Sequence, residues 1–306
     1  MSNKILILGS NGFVGKAIAK KLRNKTIFKF NRKKNFDLRN ENKLTRFLRK
    51  KKFKYILNLA AHVGSVHYVN KNQADVYSDN IKIDLSIYNS VSKLKVKPII
   101  INFIANCVYP EKLKSQVEYK ILDGSPHESV LAFANSRRNT LSLSKFFNNQ
   151  HQIITINLVI PSLYGPGDYL DPNRTHALNG IIIRSLKLNM KNDIFDIWGD
   201  GKIKREWLFI DDLTNVVSKI LNIKNHKLDI LNIAKNKIYK NFYLIKKIHK
   251  LISIKPKIEN LKNNELKIHK ERKLNNSKFK KVFKNFNFTD LDLSLKKTIN
   301  YYKKKL

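Results

Sequence analysis

Length, composition and charge exclude several classes of protein. The 306 residues, 42% of them hydrophobic, can bury a large core and indicate a folded chain of one or two domains. A single cysteine, Cys107, excludes an internal disulfide and a cysteine-built zinc site, so we expect a reducing compartment and no metal. No apolar run reaches the ~18 residues of a membrane span; a cytoplasmic protein without a membrane partner is predicted.

The positive charge is large, with 61 Lys and Arg against 23 Asp and Glu. Such an excess can indicate binding to nucleic acid or to an anionic surface. The lysines are, however, spread along the chain, and no nucleic-acid-binding motif accompanies them. We favour a solvated basic surface that attracts phosphorylated ligands, with nucleic-acid binding as the lesser alternative.

Strands and helices alternate over the first half of the chain. A short apolar run at 4–8 predicts a strand, a glycine turn follows at 9–15, and residues 16–22 have helical spacing. Further strands are predicted at 26–30, 55–59, 99–104 and 153–160, and further helices at 43–50 and 136–147. This alternation predicts an α/β fold: a Rossmann-type, doubly wound parallel sheet covered on both faces.

The regular alternation ends after Tyr164. A loop-rich stretch runs to about Ala177, and a helix at 178–188, a segment at 197–205 and a lysine-rich part from about 235 follow. We predict a dinucleotide-binding domain of residues 1–165, to which segments at about 205–235 return. Residues 166–306 are predicted to form mainly a smaller α/β substrate-binding region.

The glycine turn predicts a dinucleotide site. Gly9 permits the tight turn, Gly12 lets backbone N–H groups approach a pyrophosphate, and Gly15 allows close packing of helix on strand. The turn follows a predicted strand and opens a predicted helix, which is the context that such a site requires. After the second strand, residues 31–34 read Asn-Arg-Lys-Lys; cations there favour NADP(H) over NAD(H), although a solvated loop is the alternative.

The spacing of these glycines and the later motifs resemble the extended short-chain dehydrogenases/reductases, the NAD-dependent epimerase/dehydratase family. Within it, the chain most resembles the GDP-L-fucose synthases. The motifs lie at 58–64, 107–110, 163–166, 198–201 and 205–212. The likeness covers most of the chain and fades after about Leu231, although 271–274 is similar to a late Arg-Lys-Leu-Leu element of the family.

The resemblance implies an NADPH-dependent 3,5-epimerase and 4-reductase of GDP-4-keto-6-deoxymannose, packed as a homodimer through long helices. Cys107 and His176 would be the acid/base pair that moves protons at C3 and C5, where the ketone acidifies the C–H bonds. Without that resemblance, an inert core thiol and a loop histidine are the ordinary interpretations of these two residues.

The reductive part of the family's site is altered. The family uses Tyr-x-x-x-Lys, in which tyrosine protonates the carbonyl oxygen, but the matching positions here are Phe133 and Arg137. Ala105 stands where the family has a serine hydroxyl. We therefore expect epimerisation to be retained more readily than 4-keto reduction, unless another acid such as Tyr109 has taken over. A catalytically inactive protein that binds dinucleotide and nucleotide sugar, as a partner or regulator, is the alternative.

The resemblance also implies the ligand contacts. The cofactor would contact Gly9, Asn11, Gly12, Phe13, Val14, Gly15, Arg32, Leu59, Ala60, Ala61, Arg137, Ile160 and Leu163. The nucleotide diphosphate and sugar would contact Arg184, Trp198 and Arg205, and a guanidinium suits phosphate because it can bond two oxygens at once. A surface cation and a core tryptophan are the alternatives for these positions.

Overall fold

The computed structural model describes residues 3–172, 174–188, 194–198, 201–223, 228–261 and 271–306, with only the backbone described for Trp198 and Leu261. The strands are β1 (Ile5–Leu8), β2 (Ile27–Lys29), β3 (Tyr55–Asn58), β4 (Ile99–Ala105), β5 (Thr155–Ile160), β6 (Ser162–Tyr164), β7 (Ile194–Trp198), β8 (Lys204–Phe209), β9 (Ile230–Asn232), β10 (Ile238–Lys240), β11 (Lys257–Leu261) and β12 (Glu271–Arg272). The helices are α1 (Phe13–Lys21), α2 (Glu41–Lys51), α3 (Val66–Lys71), α4 (Gln73–Ser92), α5 (Leu131–His151), α6 (Ala177–Leu186), α7 (Ile210–Ile220), α8 (Asn241–Leu251), α9 (Ser277–Val282) and α10 (Leu291–Lys303).

The main sheet is parallel, with strand order β2-β1-β3-β4-β5-β9. Every residue of β1, β3 and β5 is buried, because helices cover both faces of the sheet. From β1 the chain goes to β2 on one side and later to β3 on the other, so the strand order reverses beside β1. A crevice for a ligand forms at such a reversal, outside the carboxyl ends of the strands. The predicted α/β fold is confirmed.

Helix α4 packs on α5 over one face of this sheet. Its buried face carries Asn80, Asp84, Ser86 and Ser90 among the apolar residues. Polar groups continue beneath it, where Asn58, Asn102 and Asn157 lie in register on β3, β4 and β5. Their side chains hydrogen-bond in series, from Asn58 to Asn102 at 3.0 Å and from Asn102 to Asn157 at 2.9 Å. A polar ladder therefore crosses the centre of the sheet.

The second region contains a small sheet of β10-β8-β12, with β6 also paired to β8, and the pair β11-β7. Glu206 on β8 ties its parts together, accepting the backbone N–H of Asn236 at 2.7 Å and that of Leu274 at 3.1 Å. Helix α7 packs on α1 and β9 joins the main sheet, so these two elements return to the first region. The division into domains at residue 165 stays a prediction.

A search of the described residues finds no helix with the length and apolar character needed to cross a bilayer. The same part of the chain brings together no group of three His, Cys, Asp or Glu residues that could hold a metal ion.

Candidate functional site

The glycine turn lies in the crevice, at the carboxyl end of β1. Gly9 has a positive φ of 75°, and a Cβ there would lie 2.6 Å from the carbonyl oxygen of Leu59. A Cβ on Gly15 would lie 2.3 Å from the oxygen of Gly9. Gly12 caps α1 without a side chain, so the first-turn amides of the helix face the loop. This is a cradle for an anion at a helix N-terminus, and the residues present fit a dinucleotide pyrophosphate.

Most of the other predicted cofactor residues lie at this carboxyl edge of the main sheet. Asn11 is exposed in the turn and Val14 is half-buried in α1, while Leu59, Ala60 and Ala61 follow β3 directly. Ile160 ends β5, and Leu163 lies in β6 just beyond it. Gly9, Leu59 and Ile160 thus mark the carboxyl ends of three parallel strands of the main sheet, whereas Leu163 lies in the sheet built on β8.

The predicted 2′-phosphate residue, Arg32, is mostly exposed and already has a carboxylate neighbour. Its Nε lies 3.3 Å from Oδ2 of Asp37. Arg39 bonds the same carboxylate, and that hydrogen bond, the largest cause, lowers the pKa of Asp37 to about 2. A phosphate at Arg32 would therefore share the guanidinium with an anionic side chain.

Cys107 lies in a 3₁₀ turn, Asn106–Val108, immediately after β4. It is buried in a small apolar cluster with Val130 and Ala134, against which Ala105 and Phe133 pack. Burial raises the pKa of the thiol, and the charges of nearby arginines, Arg272 first among them, oppose that rise. The thiol therefore stays protonated more readily than a free cysteine.

Arg137 is directed into the core beside this cluster. It is 3% exposed, and its Nη2 lies 3.1 Å from Oδ2 of the fully buried Asp84. Asp84 also accepts hydrogen bonds from Asn58 Nδ2 at 3.0 Å and from Thr140 Oγ1 at 2.5 Å. The guanidinium lies 5.8 Å from the centre of the Phe133 ring. The charge at the family's lysine position is thus compensated inside the protein.

Tyr109 is not placed to act as a replacement acid. The residue is 2% exposed, and its hydroxyl donates a 2.7 Å hydrogen bond to Oδ1 of Asn232. Burial raises the pKa of this phenol, which packs among Ile104, Val108 and Leu274. The suggestion that Tyr109 supplies the proton is therefore not supported.

His176 ends the loop that leads into α6. Its side chain is 43% exposed, and its ring centre lies 5.2 Å from that of Phe13 in the glycine turn. Asp168 in the same loop accepts hydrogen bonds from the His176 backbone N–H at 2.8 Å and from Nδ1 at 3.0 Å. Sequence reasoning missed Asp168; the only local signal was its place after the Gly-Pro-Gly turn.

The predicted substrate residues lie in the second region. Arg205 on β8 is half-buried beside Arg272 of β12, and burial, with the charge of Arg272, lowers its pKa to about 9. Two adjacent guanidinium groups suit a diphosphate. Arg184 donates instead to the backbone oxygen of Asp196 at 2.9 Å. Trp198 ends β7, but its side chain lies outside the described part of the chain.

The Rossmann sheet, the reversal of strand order and the glycine cradle define a dinucleotide-binding α/β protein. The chain belongs to the NAD dependent epimerase/dehydratase family, which matches residues 5–234. This membership confirms the predicted resemblance and an NAD(P)-dependent enzyme of the short-chain dehydrogenase superfamily.

Similar proteins cover nearly the whole chain. GDP-L-colitose synthase from Yersinia pseudotuberculosis is 24% identical over 303 residues, which is 98% of this chain and 97% of that protein. An NADP-bound GDP-L-fucose synthetase from Naegleria fowleri has a TM-score of 0.87 at 19% identity, covering 99% of this chain and 93% of that one. A GDP-6-OMe-4-keto-L-xylo-heptose reductase from C. jejuni has a TM-score of 0.85 at 20% identity, covering 100% and 99%. The two solved structures support the fold.

Proposed function

We propose that this protein takes a GDP-linked 4-keto sugar and a nicotinamide dinucleotide, and that it epimerises the sugar beside its ketone while reducing the ketone weakly or not at all. The observation that carries the proposal is the contrast between its acid/base and reductive positions. Cys107 and His176 are retained, whereas Phe133 replaces the phenol and Arg137 is held by Asp84.

The proposed epimerisation needs no hydride. The ketone acidifies the C–H bonds at C3 and C5, and two titratable groups on opposite faces of the sugar can remove a proton and return another. Cys107 directly follows β4 of the main sheet, and His176 lies in the loop between β6 and α6, with its ring against that of Phe13 in the glycine turn. Arg205, beside Arg272, would bind the diphosphate and hold the sugar in place.

The proposed reduction lacks its proton donor. The bound nicotinamide would supply hydride to the ketone, and the glycine turn, Leu59 and Ala60 would hold the dinucleotide. Phe133 has no proton to give, and Ala105 has no hydroxyl to bond the keto oxygen. Loss of general-acid help costs roughly 10²–10⁴ in rate. Weak or absent reductase activity follows from Phe133, Ala105 and the Arg137 that is held by Asp84.

Two measurements on one substrate test this proposal. With GDP-4-keto-6-deoxymannose in heavy water, we expect deuterium to enter at C3 or C5, while NADPH oxidation stays far below that of a relative with an intact Tyr-x-x-x-Lys. Cys107→Ser and His176→Gln should each suppress deuterium entry without preventing NADPH binding. NADPH turnover within about tenfold of the intact relative would contradict the loss of the acid.

The second candidate is a binding protein without turnover. The burial of Cys107 favours it, because a thiol with a raised pKa is a poor base at neutral pH. Under this alternative, NADPH and a GDP-sugar bind, yet no deuterium enters any 4-keto nucleotide sugar. That result in the experiment above would replace the first proposal with this one.

We also propose NADP(H) as the preferred dinucleotide and a homodimer as the assembly. The basic residues after β2 support the cofactor preference, with Arg32 as the contact to a 2′-phosphate. Arg32→Ala should weaken NADPH binding and leave NADH binding nearly unchanged, because only NADPH carries that phosphate. An equal loss for both dinucleotides would exclude Arg32 from the cofactor site.

The oligomeric state of the full chain, which we propose to be a homodimer, is measured directly by light scattering.

A further inference from the structure

We propose that Asp168 is a positioning residue, which keeps the proton of His176 on Nδ1 and so leaves Nε2 as the nitrogen that exchanges protons with the substrate. This inference rests on the proposed function of His176. It assigns a role to the carboxylate that the loop-rich stretch brings next to the imidazole.

The contacts of Asp168 converge on one oxygen. Oδ2 accepts from Nδ1 of His176 at 3.0 Å, from the His176 backbone at 2.8 Å and from Nδ2 of Asn179 at 2.8 Å. The hydroxyl of Thr175 adds a longer contact of 3.3 Å. Although burial alone would raise it, the pKa of Asp168 is lowered, and the hydrogen bond from His176 is the largest cause in that direction. The carboxylate is therefore ionised and has no proton to donate.

An ionised carboxylate decides the tautomer of its partner. Because Asp168 can only accept, the imidazole nitrogen that faces it has to be the donor, and in the neutral ring the other nitrogen then carries the lone pair. When Nε2 takes a proton, the same carboxylate stabilises the imidazolium. Carboxylates that orient a catalytic histidine act in this way.

The surroundings of the loop leave the His176 side chain partly exposed beside the start of α1. The His176 ring lies against Phe13, in the glycine turn. In the same loop, the Tyr169 ring lies under Arg174 at 3.9 Å and near Lys16 of α1 at 5.5 Å. Aromatic contacts thus hold the loop on the start of α1, while the histidine side chain remains 43% exposed.

Asp168 also organises the loop, so the test has to separate positioning from structure. Asn179 offers a matched control, because its Oδ1 accepts the Gly165 N–H at 3.0 Å and its Nδ2 bonds Asp168. Asn179→Ala removes two loop hydrogen bonds and leaves the carboxylate on Nδ1. Asp168→Ala removes the bond to the imidazole as well.

The direct readout is the tautomer of His176 in the full chain labelled with ¹⁵N-histidine, with its signals assigned by comparison with His176→Gln. We expect the proton on Nδ1 in the wild type and in Asn179→Ala, and loss of that fixed tautomer in Asp168→Ala. Deuterium entry into GDP-4-keto-6-deoxymannose should fall by about 10² or more in Asp168→Ala, through kcat rather than KM. Asn179→Ala should stay close to the wild-type rate.

Each of these measurements either supports or overturns the role proposed for Asp168. A wild-type proton on Nε2 overturns the inference even if Asp168→Ala does not fold. Equal rates in the two alanine variants overturn it too, because the role would then be structural. No deuterium entry in the wild type, together with a proton on Nδ1, defeats the proposed function and supports the placement of the proton.

Discussion

At the scale of single residues, Arg137 forms a buried ion pair with Asp84, at a position where the resemblance implies a catalytic lysine. Both side chains are buried, so neither charge is relieved by water when its partner is lost. We predict that Asp84→Asn destabilises the fold by about 3–5 kcal/mol, because it strands a buried cation. Denaturant unfolding measures this change.

The double variant Asp84→Asn/Arg137→Gln is the matched control for that prediction. It removes both charges and keeps polar groups in place, so it should recover much of the lost stability. An unfolding midpoint for Asp84→Asn equal to that of the wild type would mean that the pair does not hold Arg137.

We predict that the free energy of unfolding depends on pH because of the buried carboxyl group of Glu206. Burial raises its pKa to about 7 from 4.5, although three backbone N–H groups oppose the rise. The folded state therefore keeps a proton that the unfolded chain releases, and the free energy of unfolding falls as pH rises from about 4.5 to about 7. The contribution of this group is on the order of 3 kcal/mol.

The Glu206→Gln variant isolates this contribution, because every other titrating group is shared with the wild type. The difference in unfolding free energy between the two proteins should change across this pH window and stay level above it. A constant difference from pH 4 to pH 8 would show that the carboxyl titrates normally.

At the scale of elements, the glycine turn predicts different roles for two of its glycines: Gly15 in folding and Gly12 in cofactor binding. A Cβ on Gly15 would overlap the backbone of Gly9, whereas the nearest contact for a Cβ on Gly12 is an ordinary 3.4 Å, at a φ of −73°. We expect Gly12→Ala to keep the wild-type melting temperature and to weaken NADPH binding by about tenfold or more, since its methyl group stands where a pyrophosphate approaches. Gly15→Ala should lose both stability and binding. Thermal unfolding and a fluorescence titration measure the two effects, and unaltered NADPH affinity in Gly12→Ala would place the cofactor elsewhere.

The sequence predicts those helices and strands whose own residues show a clear apolar period or glycine spacing. Strand β1, the glycine turn and α1 follow from apolar runs and glycine spacing, whereas α4 is hidden because its buried face includes Asn80 and Asp84, which interrupt the apolar period. Helix α5 begins at Leu131, five residues before the predicted start. The contact of Arg137 with Asp84 joins two helices across 53 residues, and that of Asp168 with His176 lies within one loop, eight residues apart; no spacing rule covers either pair. Cys107 and His176 could be predicted only through the resemblance.

At the scale of the whole molecule, the chain carries a net charge of +38, whereas its proposed ligands are anionic. Charge spread over a surface does not define a binding site, but it raises the local concentration of anions and speeds their capture. The glycine cradle and the arginine pair then supply the specific contacts. The charge should therefore act on association more than on the bound state.

Salt dependence of cofactor capture tests this view. We predict that the association rate of NADPH falls steeply between about 0.05 M and about 0.5 M NaCl, because salt screens surface charges beyond a few ångströms. The dissociation rate should change less, since it reflects contacts inside the crevice. NADH, which lacks the 2′-phosphate, is the matched comparison and should show a shallower slope in stopped-flow fluorescence. A flat association rate for both dinucleotides would mean that the basic surface has no part in capturing the cofactor, and that its lysines are simply a solvated face.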